Sequence, residues 1–290
     1  MSVTAQHVVY EAVASVERAQ ALDGPAQAAG QAVRGAIRQG APKEALSGTW
    51  LGHALHPLLT DAVIGTWTSA LLLDVAGGRE SRRASERLIA AGIASSLPTA
   101  LTGANDWADT EAVDPGVRRV GMVHGLVNVA ALGLQVASLR ARRRGAHGRG
   151  VALSALAGGA LAVSGHLGGH LSYVQGVGVN ETTFDAGPEE WTALVVDRSP
   201  DEGAAVRALA GDTPVLLTRR DGRLLALHDR CAHRGCSLAD GRLDGDVVEC
   251  ACHGSRYALA DGELRRGPAT VPQPAFEVRE RDGHLEVRRR

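Results

Sequence analysis

Four stretches of the chain are almost free of charge. Residues 55–73 (LHPLLTDAVIGTWTSALLL) carry one charged side chain, Asp61. Residues 88–105 (LIAAGIASSLPTALTGAN), 120–139 (VGMVHGLVNVAALGLQVASL) and 151–177 (VALSALAGGALAVSGHLGGHLSYVQGV) carry none. A helix needs roughly 20 mostly apolar residues to cross a bilayer, and each stretch is close to that length. A soluble Ala-rich bundle is the alternative, but a soluble helix shows a charged face and these show none. Small residues dominate all four, as suits close helix–helix contact in lipid. The pattern predicts a four-helix transmembrane bundle over residues 51–180.

After about residue 180 the apolar runs shorten and alternate: WTALVVD, PVLLTR, LLALH, AFEVRE, HLEVRR. Asp-Gly pairs at 221–222, 240–241, 244–245, 261–262 and 282–283 punctuate them. That is the signature of a small antiparallel β domain, here spanning residues 181–290, with 176–190 as linker. Residues 1–45 read as two short Ala-rich helices split by Asp23-Gly24-Pro25, a stop signal. No apolar secretory core opens them, and Glu11, Glu17 and Asp23 interrupt them. Their weakly apolar faces suit either a membrane surface or packing on another domain. The expected organisation is therefore α + β with two main domains, preceded by a helical extracytoplasmic or membrane-surface segment at 1–50.

Charge adds orientation. The net charge is −1, so nothing points to nucleic acid. Of 31 basic side chains only Lys43 is a lysine. The segment 78–87 carries Arg79, Arg82, Arg83 and Arg87, and 140–150 carries Arg140, Arg142, Arg143, Arg144 and Arg149. With four spans these two connections share a face, and their charge marks it as cytoplasmic. The opposite face holds Asp106, Asp109, Glu111 and Asp114, then Glu181, Asp185, Glu189 and Glu190, against Arg118, Arg119, Arg38 and Lys43. Trp50 and Trp107 fall near that outer boundary, as interface aromatics do. The C-terminal domain of this multi-pass cell-membrane protein is thus expected outside the cytoplasm.

All four cysteines lie in two blocks, DRCAHRGCSL and ECACHGSRYA. The spacing is Cys231-x-His233, then sixteen residues, then Cys250-x-x-His253. Zinc fingers usually pair Cys with Cys and His with His. Here each half supplies one of each, the mixture needed when one iron of a sulfide-bridged pair takes two thiolates and the other two imidazoles. A zinc site is the alternative.

The C-terminal region resembles a Rieske [2Fe–2S] domain, and in particular the high-potential Rieske proteins of cytochrome bc-type complexes. Their blocks read C-T-H-x-G-C and C-P-C-H-G-S-x-Y; here they read Cys231-Ala232-His233-Arg234-Gly235-Cys236 and Cys250-Ala251-Cys252-His253-Gly254-Ser255-Arg256-Tyr257. The resemblance implies that Cys231 and Cys250 hold one iron and His233 and His253 the other. It implies a disulfide between Cys236 and Cys252, against two free thiols as the alternative; a disulfide suits an oxidising compartment. It implies that the Ser255 hydroxyl donates to a bridging sulfide and the Tyr257 hydroxyl to a cysteine sulfur, each raising the potential. Gly267-Pro268-Ala269 resembles the proline loop that covers the cluster. Arg234 stands where bc-type proteins often have Leu, and Ala251 where they have Pro. A charged docking tip puts quinol oxidation in doubt.

The membrane half resembles an uncharacterised family of small four-span bacterial membrane proteins, through HPLLTDAVIGTWTSALLLDVAG, ANDWADT, RRVGMVHGLVNVAALGL and GHLGGHLSY. Some of its members carry a C-terminal Rieske domain. The resemblance implies little chemistry, so the residues must speak. His53 and His56 open the first span, His124 lies early in the third, and His166 and His170 lie late in the fourth, a turn apart. Up-down topology puts these ends on the side of the C-terminal domain, joined by Asp61 and Asp106. Ionisable groups inside a span are costly and usually functional. The candidates are a b-type haem on His124 and His170, a quinol site, a metal site, or interhelical hydrogen bonds alone, with His166 as a spare.

These readings converge on a membrane-anchored Rieske protein that transfers one electron to or from a redox partner protein, a quinol or a haem of its own. One alternative is a ferredoxin-like component that supplies an oxygenase; another is a membrane redox sensor. An oxygenase active site in this chain would need a further catalytic domain with a two-His-one-carboxylate triad, for which too little chain remains. Oligomeric state is not legible.

Overall fold

The structure, a computed structural model, describes residues 3–290. The helices are α1 (Val3–Glu17), α2 (Asp23–Ala36), α3 (Ala41–Ser47), α4 (Leu55–Ala76), α5 (Arg82–Thr110), α6 (Pro115–Arg143) and α7 (His147–Tyr173). The strands are β1 (Thr192–Val195), β2 (Ala205–Ala210), β3 (Thr213–Arg220), β4 (Arg223–His228), β5 (Arg242–Asp244), β6 (Val247–Glu249), β7 (Arg256–Ala258), β8 (Leu264–Arg266), β9 (Ala275–Arg281) and β10 (His284–Arg289). Two compact units form. One takes residues up to 37 together with 55–177; the other takes 38–54 together with 178–290.

The second unit departs from the expected boundaries. Residues 38–50 were expected to fall with the N-terminal segment and 51–54 with the bundle, yet 38–54 pack with the β domain. Helix α3 and the 3-10 turn Thr49–Leu51 are too short and too polar to reveal that partner in sequence. What ties them down is tertiary: the Thr49 hydroxyl donates to the Ala269 carbonyl at 3.1 Å.

In the first unit α4 to α7 form an antiparallel four-helix bundle with an apolar exterior and an interior that mixes apolar and polar residues. Leu58, Ile64, Leu72, Val75, Leu97, Leu101, Leu126, Val129, Leu156 and Val163 are exposed on its outside. Thr99, Thr102, Asn105, Gln135, Ser138 and Ser154 are buried within. An apolar exterior around a hydrogen-bonded interior is the arrangement lipid favours. Three helices, α4, α6 and α7, are long and apolar enough to cross a membrane. The fourth expected span, 88–105, lies in α5, which is long enough but contains Pro98 and places Thr99, Thr102 and Asn105 on its inner face. Those interior polar residues lower its mean hydropathy.

One buried network crosses all four helices. Arg142 on α6 pairs with Asp74 on α4, both side chains sealed from solvent. Ser85 on α5 donates to Asp74 Oδ1 at 2.8 Å, and Arg142 Nε donates to Ser138 Oγ at 3.1 Å. Ser138 is 2.9 Å from Ser154 on α7, which donates to Gln135 at 3.0 Å. A buried charge is tolerated only when paired and hydrogen-bonded, and here it is both. Arg142 is therefore not one of the loop charges that orient the bundle.

Helices α1 and α2 pack on this bundle. Val13 joins Val117, Val120, Leu167 and Leu171 in one core. Arg34 on α2 meets the buried Glu111 carboxylate at 2.6 Å, and Arg118 meets it at 3.1 Å. Asp114 caps α6 by accepting from the Val117 N–H at 2.9 Å, with Pro115 at the first helical position.

The β unit is a closed six-stranded barrel, β1-β10-β9-β4-β3-β2, and a four-stranded antiparallel sheet, β5-β6-β7-β8. Leu194, Ala208, Ala210, Val215, Leu217, Ala226, Phe276 and Val287 fill the barrel. A second core of Leu216, Leu227, Leu238, Val248, Tyr257, Leu259 and Ala275 closes around Cys231 and Cys250. Three loops meet there: 229–241 between β4 and β5, 250–255 between β6 and β7, and 267–274 between β8 and β9.

Candidate metal centre

The two cysteine blocks fold into loops with the same hydrogen-bond pattern. In the first, Cys231 N–H donates to Cys236 O at 2.8 Å and Gly235 N–H to Cys231 O at 2.9 Å. In the second, Cys250 N–H donates to Ser255 O at 2.8 Å and Gly254 N–H to Cys250 O at 3.0 Å. Each turn closes through a left-handed glycine, Gly235 at φ +71 and Gly254 at φ +77, a conformation that costs other residues. Repetition of one turn in two loops is what brings a Cys and a His from each to the same place.

Cys231 and Cys250 are buried free thiols. They hydrogen-bond to each other, and that bond, with the N–H groups of Cys252 and His253, brings the Cys250 thiol down to about 7. The same bond and burial push Cys231 up. The rings of His233 and His253 meet edge to face with centroids 5.1 Å apart. Burial first, then the charges of Arg234, His253 and Lys43, hold His233 well below the usual imidazole value. A neutral imidazole beside an easily ionised thiol is the state in which these groups bind metal. Two adjoining sulfurs and two adjoining imidazoles fit a [2Fe–2S] cluster with one iron on each pair.

Cys236 and Cys252 form the disulfide that the resemblance implied, with Cα atoms 6.5 Å apart. Both its sulfurs lie within 4.8 Å of Cys250 Sγ, so the bridge ties the loops directly behind a thiol of the centre. The Tyr257 side chain is fully buried, its hydroxyl 3.4 Å from Cys231 Sγ. Burial pushes that hydroxyl well above the usual phenol value, so it keeps its proton. Ser255 is buried and its Oγ accepts from the Ala269 N–H at 3.0 Å. Gly267, Pro268 and Ala269 are buried against the same core.

Several contributors were not singled out in the sequence. Gln273 spans the first loop: its Nε2 donates to His228 O at 2.7 Å and Arg230 O at 2.6 Å, and its Oε1 accepts from Ala232 N–H at 3.0 Å. Asp229 accepts from Ala239 N–H and from Ser237 Oγ, each at 2.7 Å. Arg266 holds the second loop by donating to Gly254 O at 2.9 Å, and it pairs with Glu249 at 3.1 Å. Asp229, two residues before Cys231, could have been suspected from its position. Gln273 and Arg266 carry no local signal.

The structure gives the buried membrane histidines hydrogen-bond partners. His124 Nδ1 is 2.9 Å from Ser164 O and its Nε2 3.1 Å from Asn128 Nδ2. His170 Nε2 is 2.9 Å from Glu17 Oε1, which also accepts from Gln175 at 2.8 Å. These bonds engage both nitrogens of His124 and the Nε2 of His170 that a haem iron would need. His56 Nδ1 is 3.0 Å from Thr99 O. His166 and Asp61 are exposed on the outer faces of α7 and α4, away from any such group.

Comparison with known proteins agrees with both halves. Residues 190–277 match the Rieske [2Fe–2S] domain, and residues 52–181 match the family described as Predicted membrane protein (DUF2231). Ferredoxin CarAc of Metapseudomonas resinovorans is 38% identical over 77 residues, 27% of this chain and 72% of that protein. The anthranilate 1,2-dioxygenase ferredoxin subunit of Burkholderia cepacia is 31% identical over 99 residues, 34% of this chain and 91% of that one. The cytochrome b6-f complex iron-sulfur subunit 3 of Nostoc sp. is 38% identical over 86 residues, 29% of this chain; the chain spans 47% of that relative's length. By its paired Cys-His loops, its disulfide and these matches, the chain belongs to the Rieske [2Fe–2S] family, in a form joined to a membrane-protein domain.

Proposed function

We propose that this chain is a membrane-anchored electron-transfer protein in which Cys231 and Cys250 hold one iron of the cluster and His233 and His253 the other. The convergence of two buried thiols and two imidazoles from twin loops supports this reading. When bound, the cluster supplies a one-electron couple. The chain's own residues bind, seal and tune it. Core residues such as Leu238 and Leu259, both within 1% of full burial, keep water from the thiols. Cys236–Cys252 holds the loops in register. Ser255 and Tyr257 direct hydroxyl groups at the sulfur side, which favours the reduced state.

In this reading α4 to α7 all cross the membrane, α5 included, because Leu97 and Leu101 continue the apolar exterior of its neighbours. The arginine-rich ends face the cytoplasm and the Rieske unit lies on the other side. The partner is a redox protein or a quinol.

The test is purification of the full chain from membranes, with optical and EPR spectra of the reduced protein. The native chain gives a Rieske signal; Cys231→Ser and His253→Ala each abolish it. A native signal from either variant would sink the ligand assignment. A second reading, electron supply to an oxygenase, is favoured by the relatives named as dioxygenase ferredoxins. The midpoint potential separates the two: above about +100 mV supports respiratory chemistry, and near about −150 mV supports oxygenase supply.

A further inference from the structure

Residues 38–54 precede the apolar helices in the chain and lie outside the Rieske match at 190–277, yet they are built into the cluster unit. They reach two of its three loops. Gln39 abuts the second ligand loop: a Cβ on Gly254 would lie 3.6 Å from Gln39 Oε1. Thr49 and Glu44 abut the proline loop. A Cβ on Gly267 would lie 2.2 Å from Thr49 Oγ1 and 3.1 Å from Glu44 Cγ, so only glycine admits the segment this closely. Thr49 is itself framed by two left-handed glycines, Gly48 and Gly52.

From Thr49 a run of hydrogen bonds leads to the centre. The Thr49 hydroxyl donates to Ala269 O at 3.1 Å. The Ala269 N–H donates to Ser255 Oγ at 3.0 Å. Ser255 neighbours the Tyr257 hydroxyl, which lies 3.4 Å from Cys231 Sγ. Ala269 is 1% exposed and Ser255 is fully buried, so the links nearest the centre are closed to solvent. The Ala269 N–H therefore fixes where the Ser255 hydroxyl oxygen sits. Small displacements of such groups change what they stabilise.

We infer that Thr49 is a positioning residue for the cluster: by fixing Ala269 it sets the position of the Ser255 hydroxyl and thereby the redox potential. The inference rests on the ligand assignment proposed above. It assigns tuning of the Rieske centre to a side chain outside the Rieske domain, in the segment that leads into the membrane helices. It also gives α3 and its turn a role that their sequence does not suggest.

The test uses the full chain, purified in detergent, with iron content, EPR and redox titration measured on each variant. Thr49→Val keeps the shape and removes the hydroxyl. It is expected to bind a full cluster, to lower the reduction equilibrium constant about threefold, a fall of about 30 mV at 59 mV per tenfold, and to shift the EPR g-values. Thr49→Ser keeps the hydroxyl and is expected to restore both. Thr49→Ala serves in the same comparison if Thr49→Val binds too little cluster to titrate. A fully loaded hydroxyl-free variant with native potential and spectrum would overturn the inference. So would a shift in Thr49→Ser as large as in Thr49→Val. A native signal in His253→Ala is a separate result, and it overturns the ligand assignment instead.

Discussion

The Tyr257 hydroxyl lies 3.4 Å from Cys231 Sγ, and nothing of the Tyr257 side chain reaches solvent. Donation to a sulfur that gains charge on reduction stabilises the reduced state. Tyr257→Phe removes that donor and keeps the ring. A hydrogen bond to a charged group contributes roughly 1.5–3 kcal/mol, and a tenfold change is about 59 mV for one electron. The midpoint potential of Tyr257→Phe is therefore expected to fall on the order of 60–130 mV in a redox titration. An unchanged potential would remove Tyr257 from the tuning of the centre.

The Cys236–Cys252 bridge joins the two ligand loops across a sequence separation of 16. Closing a loop of that size is worth on the order of 3 kcal/mol in the chain-entropy account. Cys236→Ser should keep the EPR line shape, since neither sulfur of the bridge is needed as a ligand. It should lose the signal to chelators or mild heat well before the native protein. Thiol labelling of denatured, unreduced native protein should find Cys231 and Cys250 but not the bridged pair.

His228 and Asp185 give the Rieske unit an acid-sensitive fastening. Arg230 N–H donates to His228 Nδ1 at 3.1 Å, so the ring proton sits on Nε2, which is 3.2 Å from Asp185 Oδ2. Burial holds His228 below its ordinary 6.5 despite the carboxylate. Burial pushes Asp185 up, but the hydrogen bond from Thr213 and the adjoining His228 ring outweigh it and leave the carboxyl below 3.8. Below pH 6.5 the unfolded chain takes up a proton at this histidine that the native fold resists. Stability is therefore present above 6.5 and lost as pH falls into the His228 window, with a further loss below 3.8 from Asp185. Thermal unfolding from pH 7.5 down to about 5 is expected to show this decline, and His228→Gln should flatten it. Parallel pH profiles for the two proteins would count against it.

The cluster motif was legible because its chemistry is local: each loop spells its own Cys, His and turn glycine within six residues. An antiparallel β domain was legible from alternation and Asp-Gly turns, but its closure into a barrel was not. What escaped was carried by distance in sequence. Thr49 and Ala269 are 220 residues apart, and Gln273 and Arg230 are 43 apart; no window of sequence joins them. Asp74 drew no notice as a lone acid at a helix end, and Arg142 was read as a loop charge, because pairing across helices has no period. For a related reason the sequence could not name the partners of the membrane histidines, Ser164 and Asn128 for His124 and Glu17 for His170.

The orientation can be tested on the charges that remain once Arg142 is paired. Arg79, Arg82, Arg83, Arg87, Arg140, Arg143, Arg144 and Arg149 still crowd the two connections. A reporter fused after Arg290 is expected to behave as extracytoplasmic, and one inserted at Gly78 as cytoplasmic. The two readings must be opposite for four spans. Like readings would mean an even number of crossings between them, and would take α5 out of the membrane.

Asp74 and Arg142 offer the sharpest test of the membrane unit. Their side chains are 1% and 0% exposed, and the serines around them have no water to turn to. Asp74→Asn leaves a buried guanidinium without its counter-charge, which costs about 3–5 kcal/mol in comparable settings. The expected result is a large drop in the thermal midpoint of the detergent-solubilised protein and poor recovery from membranes. Asp74→Leu combined with Arg142→Met removes both charges at similar volume and should recover most of the loss, because an apolar pair often replaces a buried ion pair at little cost. The cluster signal should survive in the double variant, since neither residue belongs to the Rieske unit. If the single and double variants melt alike, the pair is not what holds the four helices together at this end. The Ser138–Ser154–Gln135 bonds would then carry that role.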